Sequence, residues 1–145
     1  MNIEIINEPL KLTIYGFSAI SINKDHTATA FQLMDKMWKI VRSNNIKNKG
    51  VNIWVYEQND NVFAGVELED SADRASGLQQ KNITLTKYAY YKHIGPYNLI
   101  KQAGQNMTAA LKSKGYETIL PYIEMYGHWT NDEVKLETEL LMSLK

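Results

Sequence analysis

The chain has 145 residues, with 16 basic and 16 acidic side chains, 44% apolar residues and no cysteine. This length suits a single domain, residues 1–145, with an ordinary core and no need of disulfides. With a net charge of zero, the protein has no strong positive field to attract nucleic acids or acidic membranes, so we expect neither partner. The first residues lack a basic, apolar leader and no apolar run could span a bilayer, which makes the cytoplasm the expected compartment.

The first half of the chain predicts a strand, a helix and a hairpin. β-Branched and aromatic residues indicate the strands, and apolar side chains at helical spacing indicate the helix, which Asn44, Asn45 and Gly50 end. A polar, small-residue stretch at 71–80 then links the two halves. The predicted elements are a strand at 10–20, a helix at 28–43, and strands at 51–57 and 62–68.

The second half predicts the same order of elements. Gly95 and Pro96 separate its first strand from its helix, and Lys114 and Gly115 end that helix. A closing hairpin follows. The predicted elements are a strand at 82–93, a helix at 97–113, and strands at 121–127 and 134–144.

Two short motifs occur twice in the chain. Residues 12–17, LTIYGF, resemble residues 85–90, LTKYAY, and residues 53–56, IWVY, resemble residues 123–126, IEMY. Their common order predicts two copies of one βαββ unit, at about 1–70 and 81–145. The expected fold is therefore α+β, with six to eight mainly antiparallel strands and two helices on one face of the sheet.

The motif His93-x-Gly95-Pro96-Tyr97, the run 122–126 and the closing ETEL at 137–140 resemble the GyrI-like small-molecule-binding family. This family is also found as the effector-binding domain of AraC- and MerR-type transcription regulators. The resemblance implies a tandem βαββ duplication around a central ligand groove, commonly with a glutamate at its floor, which Glu124 matches. It also implies lipophilic or aromatic cations as ligands. Some relatives carry a DNA-binding domain, for which this chain has no room, so we expect a standalone member.

Glu124 is the main candidate from the residues themselves. Strand alternation places Tyr122, Glu124 and Tyr126 on one face and Ile123 on the other. If that face meets the helices, the ionised carboxylate costs several kcal/mol unless it is paired, and the group is poised to bind a cation or to donate a proton. The alternative is a surface glutamate between two half-exposed rings.

Superposing the two copies pairs Trp54 with Glu124 and Tyr56 with Tyr126. An indole and tyrosine edges around a carboxylate would form a flat slot suited to an aromatic or cationic guest. For Trp54, a place in the core is an equal alternative. The same superposition pairs bulky side chains of one helix with small side chains of the other, which predicts a cleft between the helices. Packing in the core is again the alternative. The candidate residues that line the cleft are Met34, Trp38, Gly104, Met107 and Thr108.

Three functions follow from these residues and the resemblance. The first is binding of an amphipathic, aromatic or cationic small molecule by Glu124 and the aromatic side chains. The second is hydrolysis of cyclopropane-containing compounds, known in some relatives, with Glu124 as acid or base and Tyr126 or Tyr97 assisting. The third is a protein-interaction role like that of a gyrase-inhibiting relative. The three histidines lack metal-ligand spacing and no cofactor motif occurs, so we expect neither metal nor cofactor.

Overall fold

The computed structural model describes residues 1–70 and 77–145, so most of the predicted linker at 71–80 lies outside the described residues. The described chain forms eight strands and two α-helices. The helices are α1 (His26–Ser43) and α2 (Ile100–Ser113). The strands are β1 (Glu4–Ile6), β2 (Leu10–Ile20), β3 (Asn52–Tyr56), β4 (Asn61–Val66), β5 (Gln79–Leu85), β6 (Tyr88–Ile94), β7 (Thr118–Tyr126) and β8 (Glu137–Leu144).

Helix α1 begins two residues before its predicted start because Asp25 caps it. The Asp25 carboxylate accepts a hydrogen bond from the Ala28 backbone N–H at 3.1 Å, which satisfies one of the free donors of the first turn. One stripe of the helix is buried against the sheet, as the apolar spacing predicts. That stripe consists of Ala30, Leu33, Met37 and Val41.

Helix α2 begins three residues later than predicted. Tyr97–Leu99 form a 3-10 turn after Pro96, and the α-helix starts at Ile100. The ring of His93 stabilises this turn, since its Nε2 lies 3.2 Å from the carbonyl oxygen of Pro96. The helix ends before Gly115, whose φ of 86° suits a residue without a side chain. Neither helix of the described chain combines the length and the apolarity needed to cross a bilayer.

The eight strands form one sheet in the order β1-β6-β8-β7-β3-β4-β2-β5, and every neighbouring pair is antiparallel. The α+β class and the mainly antiparallel sheet are therefore confirmed. The strand predicted at 82–93 is divided in the structure, because a bend at Thr86-Lys87 separates β5, which pairs with β2, from β6, which pairs with β8. The short edge strand β1 was not predicted.

One short connection shows that the sheet is strongly curved. β5 lies at one edge and β6 second from the other edge, yet only Thr86 and Lys87 separate them. Six strand spacings in a flat sheet would measure about 29 Å, whereas three residue steps reach at most about 11 Å. The edges therefore approach each other and enclose an apolar cluster without helical residues, which includes Leu12, Ile14, Ile53, Val55, Ile83, Leu85, Tyr88 and Leu141.

Both helices pack on the opposite face. Trp54 and Tyr56 of β3 pack in the cluster of α1, and Tyr122 and Tyr126 of β7 pack against the cluster of α2. At the centre of the sheet β3 and β7 are neighbours, and Trp54 stands directly opposite Glu124. The superposition of the two halves pairs the same two residues, while the duplication itself stays a prediction.

Candidate functional site

A cavity of about 1150 Å³ lies on the helical face of the sheet. Its floor is the centre of the sheet, where Tyr56, Tyr122, Glu124 and Tyr126 point toward the helices. One face of α2 and the segment that leads into α1 complete the walls. This volume is slightly above the usual range for small-molecule sites, about 300–1,000 Å³.

Glu124 lies at this floor with 7% of its surface exposed. Three phenol groups donate hydrogen bonds to its carboxylate. The Oη of Tyr56 lies 3.0 Å and that of Tyr126 lies 2.7 Å from Oε1, and the Oη of Tyr122 lies 2.8 Å from Oε2. Hydrogen bonds to an ionised acceptor contribute about 1.5–3 kcal/mol each, so this arrangement stabilises a buried negative charge.

Aromatic rings surround the carboxylate. The rings of Tyr56 and Tyr122 are stacked at 5.6 Å with an interplanar angle of 19°. Tyr97 meets Tyr126 edge-on at 5.5 Å, and the His26 ring meets Tyr56 edge-on at 6.1 Å. Such contacts fix the ring orientations, so the walls are preformed.

Charged side chains line the cavity on two sides. Three carboxylates and Lys24 lie on the side of α1 and the β3–β4 hairpin, and there Asp60 pairs with His26 at 3.0 Å. Lys101 and Lys112 lie on α2. The floor, in contrast, carries the negative charge of Glu124 alone, since the other residues placed there are tyrosines.

Six of the ten residues predicted to bind a ligand line the cavity: Glu124, Tyr56, Tyr126, Tyr97, Gly104 and Thr108. Gly104 faces the floor, since a Cβ built on it would lie 3.7 Å from the Oη of Tyr122. The alternative of a solvent-facing Glu124 does not match the structure, because the Glu124 carboxylate is buried on the face of the sheet that carries the helices.

The other four residues lie outside the lining. Trp54 is 3% exposed and packs beneath α1 on the helical face of the sheet, where its ring contacts Phe31 at 5.0 Å and Tyr126 at 4.7 Å. Met107 is fully buried between α2 and the sheet. Met34 packs against the α1 cluster, as does Trp38, whose indole N–H donates to Asn52 Oδ1 at 2.7 Å. The core alternative therefore matches these positions, because their side chains pack against α1 or between α2 and the sheet rather than beside the cavity.

Tyr122 is the main site residue missing from the predicted ligand contacts. Strand alternation places it on the face of Glu124, and that signal could have identified it as a third donor. Among the described residues, no cluster of three or more histidine, aspartate or glutamate side chains has the geometry to hold a metal ion.

The three phenol groups predict an unusual alkaline titration. Burial, followed by the charge of Glu124 and the hydrogen bond to it, raises the pKa of Tyr56, Tyr122 and Tyr126 far above the ordinary value of 10.0. Above about pH 10 the unfolded chain loses these protons while the folded chain keeps them, so the free energy of unfolding falls as the pH rises.

We predict that an ultraviolet titration of the folded protein will leave at least these three of the nine tyrosines protonated through pH 10–11. Tyr122→Phe should make the alkaline loss of stability shallower. Ionisation of all nine tyrosines together near pH 10 would contradict the arrangement.

The fold and this cavity define an α+β domain that encloses a large site with a buried carboxylate and aromatic walls. The chain belongs to the GyrI-like family, described as a GyrI-like small molecule binding domain, which matches residues 1–145. The resemblance drawn from the sequence motifs is thereby confirmed. No curated protein matches the sequence.

Several solved structures share the fold. The structure of SAV2435 bound to tetraphenylphosphonium has a TM-score of 0.66 and 20% identity, and the match covers 100% of this chain and 94% of that one. The C-terminal domain of EcmrR has a TM-score of 0.73 and 15% identity, covering 100% and 99%. A hydrolase from Listeria innocua has a TM-score of 0.59 and 9% identity, covering 99% and 91%.

Proposed function

We propose that this protein is a receptor for lipophilic aromatic cations, which it holds in the cavity above Glu124. This proposal rests on the buried carboxylate, which accepts hydrogen bonds from three phenols at the floor of a large cavity lined by aromatic rings. The ligand of SAV2435, tetraphenylphosphonium, is an aromatic cation and supports the same class of ligand for this chain.

The donors explain why a binding role is favoured. Because Tyr56, Tyr122 and Tyr126 already donate to the carboxylate, three of its roughly four acceptor positions are occupied. A ligand without N–H donors needs no acceptor, and it responds only to the negative charge and to the ring faces. Cation–π contacts of about 0.5–2 kcal/mol each would add to that attraction.

A receptor of this kind can act without changing its ligand chemically. We propose that it acts by sequestering its ligand or by signalling to a protein partner, as an effector-binding domain would. The C-terminal domain of EcmrR, which has the same fold, supports this relation to regulators.

The test compares two ions of the same shape and opposite charge. Titration calorimetry with tetraphenylphosphonium and with tetraphenylborate should detect binding of the cation and a much weaker response to the anion, because the floor of the cavity is negative. Equal affinity for the two ions would contradict the proposal.

Hydrolysis is the second candidate, supported by the hydrolase of the same fold. Glu124 keeps one acceptor position on Oε2 that could orient a water molecule, and Tyr97 lies at the wall near Tyr126. Incubation with cyclopropane-containing alkylating compounds, followed by mass spectrometry, tests this alternative, and absence of ring opening across a panel would contradict it.

Gly104 gives a prediction that separates stability from binding. A glycine within a helix destabilises it by about 1 kcal/mol relative to alanine, and an alanine Cβ would be in ordinary contact with Tyr122. We therefore expect Gly104→Ala to raise the free energy of unfolding by up to about 1 kcal/mol. Gly104→Leu should fill the space above Tyr122 and weaken the binding of tetraphenylphosphonium.

Ala110→Leu is the matched control, since Ala110 lies on the same helix outside the cavity lining. Denaturant unfolding and ligand titration of the three variants provide the measurements. Equal loss of affinity in Ala110→Leu and Gly104→Leu would show that Gly104 has no special place in the site.

A further inference from the structure

A second, smaller cavity of about 320 Å³ lies beside the first. The turn at 96–98 forms one wall and the segment after β7 forms the other. Tyr97 and Asn98 line both cavities, so the two spaces are neighbours on either side of this turn. Trp129, Glu133 and Leu136 contribute the opposite wall.

Backbone hydrogen bonds hold the two walls at a fixed separation. The N–H of Gly95 donates to the carbonyl of Leu136 at 2.8 Å, and the N–H of Gly127 donates to the carbonyl of Glu137 at 3.0 Å. The contact of His93 with the Pro96 carbonyl fixes the turn itself. Both walls are therefore anchored at the start of β8, and a guest would not have to order the backbone at these points.

The lining has the chemistry of a site for a small cation. Trp129 exposes 73% of its surface, and indole is the best of the aromatic side chains for cation–π contacts. Glu133 adds a negative charge, Tyr97 a second ring, and the residues that line this cavity include no lysine, arginine or histidine. Its volume is at the lower end for ligand sites, which suits one compact group.

We infer that the smaller cavity is a second cation subsite, which binds the distal cationic group of an elongated ligand whose first, aromatic cation lies above Glu124. The preferred ligands are then dications with a flexible linker that passes over Tyr97. This inference rests on the proposed function, because the first group must occupy the larger cavity. The second group adds affinity by binding at a high effective concentration.

The test uses a probe with two different ends. One end is triphenylphosphonium, the other is trimethylammonium, and polymethylene linkers of increasing length join them. The control compounds carry a tert-butyl group in place of trimethylammonium, which has the same shape and no charge. We expect one linker length at which the dication binds on the order of tenfold more tightly than its control, with one probe per chain.

Trp129→Ala and Glu133→Gln should each reduce this advantage, and Asp132→Asn should retain it. Asp132 is a matched control because it lies in the same segment, pairs with Lys135 and does not line the cavity. Equal affinity of dication and control at every linker length would overturn the subsite. An advantage that persists in the Trp129→Ala and Glu133→Gln variants would also overturn it.

Glu124→Gln separates the two proposals. It should weaken the dication and its monocationic control alike, because both place triphenylphosphonium above the floor. Unchanged affinity of both compounds in this variant would count against the receptor proposal, whereas the ratio between them reports on the smaller cavity alone. Absence of binding by either compound would overturn both proposals.

Discussion

We expect Glu124→Gln to weaken tetraphenylphosphonium binding by an order of magnitude or more while the fold is retained. The carboxylate is the charged group at the floor of the cavity and is almost wholly buried, so the solvent screens its field weakly. A tenfold change corresponds to only about 1.4 kcal/mol. The glutamine amide has nearly the same shape, and its oxygen can still accept from Tyr56 and Tyr126.

Glu139→Gln provides the matched control for this variant. Glu139 lies on β8 and accepts a hydrogen bond from the Oη of Tyr90 at 2.6 Å, but it is on the helix-free face of the sheet with Met125. The substitution removes the same charge and alters the same kind of hydrogen bond. Calorimetric titration of both variants should show a loss in Glu124→Gln alone, and equal losses would mean that net charge, rather than position, controls binding.

The sequence predicted the floor of the site because strand periodicity determines which side chains share a face. Alternation places Tyr122, Glu124 and Tyr126 together, and the similarity of 53–56 to 123–126 aligns Trp54 with Glu124. The Trp54–Glu124 pair has its counterpart in the register of β3 and β7, whereas Tyr56 stands opposite Tyr122 rather than Tyr126 because the strands are antiparallel. The pairing of each tyrosine hydroxyl with a particular carboxylate oxygen depends on side-chain rotamers, and sequence periodicity does not determine these.

Only part of the helical wall could be predicted, since the sequence named Gly104 and Thr108, which line the cavity, together with Met107, which does not. Apolar spacing identifies the stripe that faces the sheet, and Met107 lies on it. The cavity is lined instead by the neighbouring face of α2, where Gly104, Gln105 and Thr108 lie. A rotation of about 100° per residue separates Met107 from Thr108, so the apolar pattern identified the core face rather than the wall.

The break between β5 and β6 was missed for a different reason. Residues 82–93 are rich in β-branched and aromatic side chains and contain neither glycine nor proline, so no breaker residue marks the bend at Thr86-Lys87. Pairing decides the break, since β5 pairs with β2 and β6 pairs with β8. These are long-range interactions, and the curvature of the sheet follows from them.

We expect Trp54→Ala to lower the free energy of unfolding by about 3–5 kcal/mol, as deletion of a buried aromatic side chain usually does. Trp54 is 3% exposed and contacts Phe31 and Tyr126, so the deletion opens a void between α1 and the central strands. Urea unfolding followed by circular dichroism measures the loss. Such a loss is a large fraction of the roughly 5–15 kcal/mol that stabilises a typical domain, so the variant should unfold at a much lower urea concentration.

Two further variants distinguish a core residue from a ligand contact. The buried indole N–H of Trp54 has no hydrogen-bond acceptor among the described residues, so Trp54→Phe removes volume without breaking a hydrogen bond. It should cost less stability than the alanine variant and leave tetraphenylphosphonium affinity unchanged. Trp129→Ala, at an exposed position, should change stability by less than about 0.5 kcal/mol. A similarly small effect of Trp54→Ala, together with a loss of affinity in Trp54→Phe, would place the Trp54 indole in the cavity wall instead of the core.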